Sequence, residues 1–273
     1  TDNHTSNGGL DIFITKYNAD GSYGWTKTFG SIGTEGGYSV FVDDSENFFM
    51  TGYFSNIVNF DTTGGTDNHT SNGLSDVFIT KYNADGSYGW TRTFGGTSTD
   101  YGDKISIDGS GNVFLTGEFI GAVNFDATGG TDNHISDDNT YDIFITKYNA
   151  DGSYGWTRTF GGTSTDIGYG ISSDSSNNVF ATGRFSGTVD FDATAGTDNR
   201  TSAGLSDIFI TKYNADGSYG WTRTFGGTSS DEGYGIAMDG SDNIFVTGYF
   251  RNTVDFDATG GVDNRTSIGY GDI

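Results

Sequence analysis

Asp11-Ile12-Phe13-Ile14-Thr15-Lys16-Tyr17-Asn18-Ala19-Asp20-Gly21-Ser22-Tyr23-Gly24-Trp25 is written four times in this chain: it returns from Asp76 (with Val77 for the first isoleucine), from Asp142 and from Asp207. Successive copies start 65, 66 and 65 residues apart, and Asp272-Ile273 opens the phrase once more. A fixed period of this size marks one supersecondary unit repeated in an array, each unit burying its apolar faces against its neighbours. The units start near residues 11, 76, 142 and 207, and together they read as a single domain spanning 1–273.

Within one unit the pattern is that of antiparallel strands. Asp76 to Tyr82 is β-branched and aromatic and runs into Asn83-Ala84-Asp85-Gly86-Ser87, a hairpin signal, so it pairs with Tyr88 to Phe94. On that second strand Tyr88, Trp90, Arg92 and Phe94 share one face, and Thr91 and Thr93 the other. Lys104 to Ile107 reads as a short strand, Asp108 to Asn112 as a turn, and Val113 to Phe119 as a strand. Val123-Asn124-Phe125 forms a small fifth piece before a long polar loop from Asp126 to about Asp142. Strands that are apolar on both faces need cover on both sides, and sheets packed face to face around an axis supply it, as does a stack along a line.

Composition agrees with many short strands and turns. The chain has 45 glycines, no proline, and aromatics at 15% of its residues, so there is material to bury. Net charge is -23 and comes almost entirely from aspartate, a turn-forming residue. Such a charge repels nucleic acid and anionic lipid, which argues against those partners and leaves cations and basic surfaces. The lack of cysteine removes disulfides, thiolate zinc sites and thiol catalysis. Neither a signal peptide nor an apolar run long enough to insert in a membrane is present, and the chain opens and stops in mid-repeat, which reads as a mature fragment or a window of a longer array.

Several residues of the third and fourth units carry a family resemblance. These are Tyr169-Gly170-Ile171 to Asp174, Asn178-Val179-Phe180-Ala181-Thr182-Gly183-Arg184-Phe185, Thr188-Val189-Asp190-Phe191-Asp192, Asp207 to Tyr213, and Gly220-Trp221-Thr222 to Phe225-Gly226-Gly227. In that order they resemble the SBBP-type bacterial β-propeller repeat, and the resemblance extends over the whole chain. It implies an all-β propeller in a secreted or surface-attached bacterial protein, and it implies no reaction. In the family's phase, residues 11–30 are the outer two strands of a blade whose inner two are 234–256. The expectation is therefore four four-stranded blades, with residues 1–30 and 234–273 sharing the closing one. A closed monomer is favoured over a filament or open array built by head-to-tail exchange of the same half-blades.

Candidate sites follow from comparing the copies. Asp190 and Asp192 lie two apart, with Asp198 beyond a turn, and Asp255, Asp257 and Asp263 repeat them. In the earlier copies Asn59 precedes Asp61 and Asp67, and Asn124 precedes Asp126 and Asp132. This mixture of carboxylate and amide oxygens suits a hard cation such as Ca2+, although the spacing is not that of an EF-hand, and the alternative is turn capping. The repeated tryptophans (Trp25, Trp90, Trp156, Trp221) read as wedges between blades rather than platforms for sugars, and the basic residues beside them (Lys27, Arg92, Arg158, Arg223) as snorkelling or ion-paired strand residues. His4, His69 and His134 give way to Arg200 and Arg265 in the remaining copies, which argues for solvent-facing residues. Four sequon-like triplets begin at Asn3, Asn68, Asn199 and Asn264.

No catalytic set emerges. The glutamates (Glu35, Glu46, Glu118, Glu232) fall at different places in the repeat, and no serine has a positioned histidine beside it. A unique site could form where the third loop carries its insertion, Asp137-Asp138-Asn139-Thr140. The reading is a non-enzymatic extracellular scaffold or adhesion module of a bacterial surface or secreted protein, meeting protein or glycan surfaces or itself. A multivalent lectin-like propeller is the alternative.

Overall fold

The computed structural model describes residues 1–269, all β apart from turns and one 3-10 turn at Asp137–Asn139. The first copy of the repeated phrase makes a two-stranded sheet, β1 (Ile12–Tyr17) with β2 (Tyr23–Phe29). The next unit supplies β3 (Gly36–Val42), β4 (Phe48–Phe54), a ribbon of β5 (Ile57–Asn59) and β6 (Asn68–Thr70), then β7 (Asp76–Tyr82) and β8 (Tyr88–Phe94). Strands β3-β4-β7-β8 form one antiparallel four-stranded sheet in that order, with the β5-β6 ribbon outside it.

The same plan repeats twice. β9 (Tyr101–Ile107), β10 (Val113–Phe119), β13 (Asp142–Tyr148) and β14 (Tyr154–Phe160) make the second sheet, with β11 (Ala122–Asn124) and β12 (Asn133–Ile135) as its ribbon. β15 (Ile167–Ser173), β16 (Val179–Phe185), β19 (Asp207–Tyr213) and β20 (Tyr219–Phe225) make the third, with β17 (Thr188–Asp190) and β18 (Asn199–Thr201). The chain then gives a two-stranded sheet of β21 (Glu232–Met238) and β22 (Ile244–Tyr249), and a last ribbon of β23 (Thr253–Asp255) and β24 (Asn264–Thr266).

Two expectations change. The polar loop after each fifth strand is not a plain loop: in the second sheet Asn133–Ile135 folds back on Ala122–Asn124, and the loops of the other units do likewise. Side-chain to backbone bonds drive this, as described below. Second, the pairing of residues 11–30 with 234–256 is not made within the chain. β1 and β2 pair with each other and β21 and β22 with each other, so three complete sheets stand between two half-sheets. Asp272-Ile273, read as the opening of another copy, lies outside the described residues.

The core follows from strands buried on both faces. The middle strands β4, β7, β10, β13 and β16 are buried at nearly every position, and the phenylalanine, valine and isoleucine runs of the sequence supply that double cover. The first strand of each sheet lies against the first two strands of the sheet before it, so β9 packs on β3 and β4, β15 on β9 and β10, and β21 on β15 and β16. A glycine permits each approach. A Cβ on Gly102 would lie 2.4 Å from Thr51 Oγ1, one on Gly168 2.3 Å from Thr116 Oγ1, and one on Gly233 2.5 Å from Thr182 Oγ1. Those threonines are fully buried and donate within their own sheets to the carbonyls of Phe78, Phe144 and Phe209.

The repeated basic and tryptophan positions sit where consecutive sheets meet. Arg92 lies over the Trp90 ring and its Nε donates to the Gly152 carbonyl in the hairpin turn of the next sheet, at 2.8 Å. Arg158, over Trp156, does the same to Gly217, also at 2.8 Å. The tryptophans are thus wedges between sheets, and the arginines lock one sheet to the next.

Candidate functional site on the inner strands

The first two strands of every sheet pair with a bulge at one place. The register steps from Gly37↔Gly52 to Ser39↔Thr51, and equivalent steps fall around Asp103, Tyr169 and Tyr234. The residue left over is Tyr38 in the first sheet, Asp103 in the second, Tyr169 in the third and Tyr234 in the last pair. Bulges re-aim a side chain and twist the strand, and they recur beside functional sites. One residue beyond the bulge, the second strand carries Tyr53, Glu118, Arg184 and Tyr249 at one repeat position, paired with Gly36, Tyr101, Ile167 and Glu232. Units that are nearly identical in their outer strands therefore differ here, on the strands where the sheets approach one another.

These side chains meet. Tyr53 and Tyr101 stand edge to face with ring centres 5.2 Å apart, Tyr38 lies 5.4 Å from Tyr53, and Tyr141 lies 6.3 Å from Tyr101. On the far side Tyr169 packs 5.0 Å from Tyr234, which lies 5.8 Å from Tyr249. Between the two aromatic groups are four charged residues. Tyr234 donates to Glu232 Oε2 at 3.0 Å, and Arg184 Nη1 stands 3.7 Å from Glu232 Oε1.

Asp103 and Glu118 share a hydrogen bond between their carboxyl groups. Burial raises both acids, and the neighbouring Asp103 charge raises Glu118 further, so the pair holds on to a proton between them. Among the described residues, no donor reaches Asp103 Oδ2 or Glu118 Oε2, and Arg184 Nε has no acceptor. Partial burial, with Tyr53 and Tyr101 alongside, pushes the Tyr38 phenol up to about 12, so that ring remains a neutral hydrogen-bonding surface at physiological pH. Aromatic faces beside a proton-sharing acid pair and an arginine can stack on a planar or sugar-like ligand and bond its polar edge.

The acidic residues expected to hold Ca2+ lie elsewhere, on the ribbons. Asp190 Oδ1 accepts from the backbone amides of Asp192 (3.1 Å) and Asp198 (2.7 Å), and Asp255 Oδ1 from those of Asp257 (3.1 Å) and Asp263 (2.7 Å). Asn59 accepts from Asp61 and Asp67 in the same way, and Asn124 from Asp126 and Asp132. One oxygen of Asp61, Asp126, Asp192 and Asp257 takes the amide two residues on, at Thr63, Thr128, Thr194 and Thr259. Asp67, Asp132 and Asp198 accept the phenols of Tyr88, Tyr154 and Tyr219. Each acid therefore has a turn or strand group to bind. Among the described residues, no three carboxylate or imidazole side chains converge into a cation site.

Two further expectations are corrected. His69 and His134 are not simply solvent-facing: each lies half-buried on its ribbon, bonded to Thr93 or Thr159 and paired with Asp67 or Asp132 at 3.1 and 3.2 Å. Arginine replaces histidine without loss because Arg200 and Arg265 reach Asp198 and Asp263 at 2.9 and 2.8 Å. The insertion Asp137 to Thr140 is an exposed turn whose bonds are internal or structural: Thr140 Oγ1 donates to Asp137, Gly162 and Ser164 carbonyls. The acids that do meet, Asp103 and Glu118, carry no repeat signal, because unlike residues stand at their positions in the other units. Aligning the units shows Tyr53, Glu118, Arg184 and Tyr249 at one position, a variable position inside a uniform repeat.

Comparison with known proteins agrees with the architecture. Residues 220–249 match the family model described as the SBBP beta-propeller repeat. The chain is 29% identical over 259 residues to an uncharacterized WD repeat-containing protein of Acanthamoeba polyphaga mimivirus, covering 83% of this chain and 19% of that protein. It is 28% identical over 211 residues to the regulatory protein FlaEY of Caulobacter vibrioides, covering 71% of this chain and 22% of that protein. The chain thus spans about a fifth of the length of the curated relatives it matches.

Proposed function

We propose that this chain is a non-enzymatic repeat scaffold of a bacterial surface or secreted protein, presenting one ligand-contact face along its inner strands. The observation that carries this reading is where the units differ. Outer strands keep the phrase DIFITKY and YGWTRTF almost unchanged, whereas the bulged position and its neighbour run Tyr, Asp, Tyr, Tyr and Tyr, Glu, Arg, Tyr. Uniform packing residues build the frame, and the non-uniform ones sit together on the inner face. A glycan suits that face through ring stacking on Tyr38, Tyr53 and Tyr101 and polar contacts to Asp103, Glu118 and Arg184. Four equivalent lectin pockets suit it less, since only the first and last pairs, Tyr38 with Tyr53 and Tyr234 with Tyr249, match.

A glycan-array screen with the purified chain tests this reading. Reproducible binding that Tyr101→Ala and Arg184→Ala remove, while Asp138→Ala in the inserted turn leaves it intact, supports an inner-strand face. Binding unaffected by either inner-strand substitution, or turnover abolished by a single substitution, overturns it.

A further inference from the structure

We propose that the grooves beside the outer strands β8 and β14, where one unit meets the next, bind a neutral ligand carrying a secondary amide, an N-acetylated amino sugar. These sites are separate from the inner-strand face. Beside β8 lies a cavity of about 360 Å³ whose wall includes Asp61, Asp67, His69, Trp90 and Arg92, with Ala127 contributed by the next unit. The volume is within the range of small-molecule pockets. The same residue types recur one unit on, at Asp126, Asp132, His134, Trp156 and Arg158, with Ala193.

One carboxylate oxygen decides which grooves are open. Asp67 Oδ2 takes both the Tyr88 phenol and His69 Nε2, the latter at 3.1 Å; Asp132 Oδ2 takes the Tyr154 phenol and stands 3.2 Å from His134 Nε2. Thr93 and Thr159 fix the two imidazoles through Nδ1, at 2.9 and 2.8 Å. Oδ1 of each aspartate is thereby left without a protein donor among the described residues, on side chains 37% and 36% exposed. In the other three copies a basic group occupies that oxygen. His4 Nε2 lies 3.0 Å from Asp2 Oδ1, Arg200 Nη2 lies 2.9 Å from Asp198 Oδ1, and Arg265 Nη2 lies 2.8 Å from Asp263 Oδ1.

The complementary group on the wall is a donor. Arg92 donates from Nε to the Gly152 carbonyl and from Nη1 to the Thr91 carbonyl, and its Nη2 has no acceptor among the described residues. Arg158 is arranged in the same way toward Gly217 and Thr157. A carboxylate oxygen only accepts and a guanidinium only donates, so the matching ligand group offers one N–H and one carbonyl, as a secondary amide does. Ala127 supplies an apolar wall for the methyl of an acetamide.

Charge bounds the ligand from both sides. Asp61, Asp67 and the net charge of -23 disfavour an anion, and Arg92 disfavours an amine at the same place. Ring stacking plays no part, because the Arg92 guanidinium lies over the Trp90 ring at 5.3 Å and the Gly152 turn lies against it, where a Cβ would be 2.9 Å from the ring. The sugar is held by its acetamide.

The four tryptophans make the test specific to each groove. Trp90 and Trp156 belong to the two open grooves, and Trp25 and Trp221 to copies in which the oxygen is taken. N-acetylglucosamine is titrated into the isotope-labelled chain and the indole N–H signals are followed by NMR. The Trp90 and Trp156 signals are expected to shift and saturate while those of Trp25 and Trp221 stay in place, and glucose, which lacks the amide, should move none of them. His69→Arg copies the residue this chain already uses at Arg200, so the ribbon keeps its ion pair. It should abolish the Trp90 shift and spare that of Trp156, and His134→Arg should do the reverse. Tyr101→Ala on the inner face should change neither, which keeps a groove ligand distinguishable from an inner-face ligand. No shift at Trp90 and Trp156, equal shifts with glucose, shifts at all four tryptophans, or a Trp90 shift that survives His69→Arg would each overturn the proposal.

Discussion

Arg158 Nε donates to the Gly217 carbonyl at 2.8 Å while its guanidinium covers the Trp156 ring, so one residue carries a hydrogen bond and an aromatic contact across the boundary between two sheets. Arg158→Ala removes both and leaves a turn carbonyl without its charged donor. Urea unfolding is expected to show a loss of about 1 to 3 kcal/mol. Arg158→Lys retains charge but not the planar fork, and its loss should be smaller than that of alanine.

Gly217 is the other half of that contact. Its φ of +81° is costly for any residue with a Cβ, and that Cβ would also lie 2.9 Å from the Trp156 ring. Gly21 has the same φ with open space around it. Alanine at either position should cost about 1 to 2 kcal/mol from the backbone alone. Gly217→Ala should cost clearly more than Gly21→Ala in dilute solution, and equal melting shifts would show that the ring moves aside freely.

Acid should stabilise this protein down to about pH 5. Burial raises the carboxyls of Asp76, Asp100 and Asp207 to about 6 and those of Asp142 and Asp166 to about 7. Their folded values exceed the unfolded one, so the folded state binds more protons. Their contribution is full below the ordinary carboxylate range and is lost as pH rises through 6 and 7. Below about pH 4 the exposed turn acids act oppositely, because Ser22 and Ser87 hold Asp20 and Asp85 low. Melting temperature should therefore fall between pH 5 and pH 8. Asp142→Asn, which keeps an acceptor for the Asp137 amide, should raise it at pH 8 and not at pH 5.

The ribbon acids are tested by calcium. Asp192→Ala together with Asp257→Ala removes two turn caps, at a cost of about 1 kcal/mol each by analogy with helix caps. If capping is their whole role, the melting curves in chelator and in excess calcium coincide for the native chain and fall together for the variant. A calcium-dependent rise that the variant loses would establish the cation site.

The sequence by itself determined the repeat, its strands and its hairpins, because each of these rests on contacts between residues near in the chain. The turn Asn83 to Ser87 closes through the Asp85 carboxylate and the Ser87 amide two residues away, and the alternation of Tyr88 to Phe94 needs only the pleat. Even the ribbon aspartates were legible as turn caps, since their bonds span two to eight residues. What only the tertiary structure decided depends on residues brought together from different units. Asp103 and Glu118 meet because a bulge on one strand faces its neighbour, and Arg184 reaches Glu232 because β21 packs across β16. The expected pairing of residues 11–30 with 234–256 was likewise a matter of tertiary structure: β1 and β2 pair with each other and β21 and β22 with each other, because pairing depends on position in space as well as on sequence.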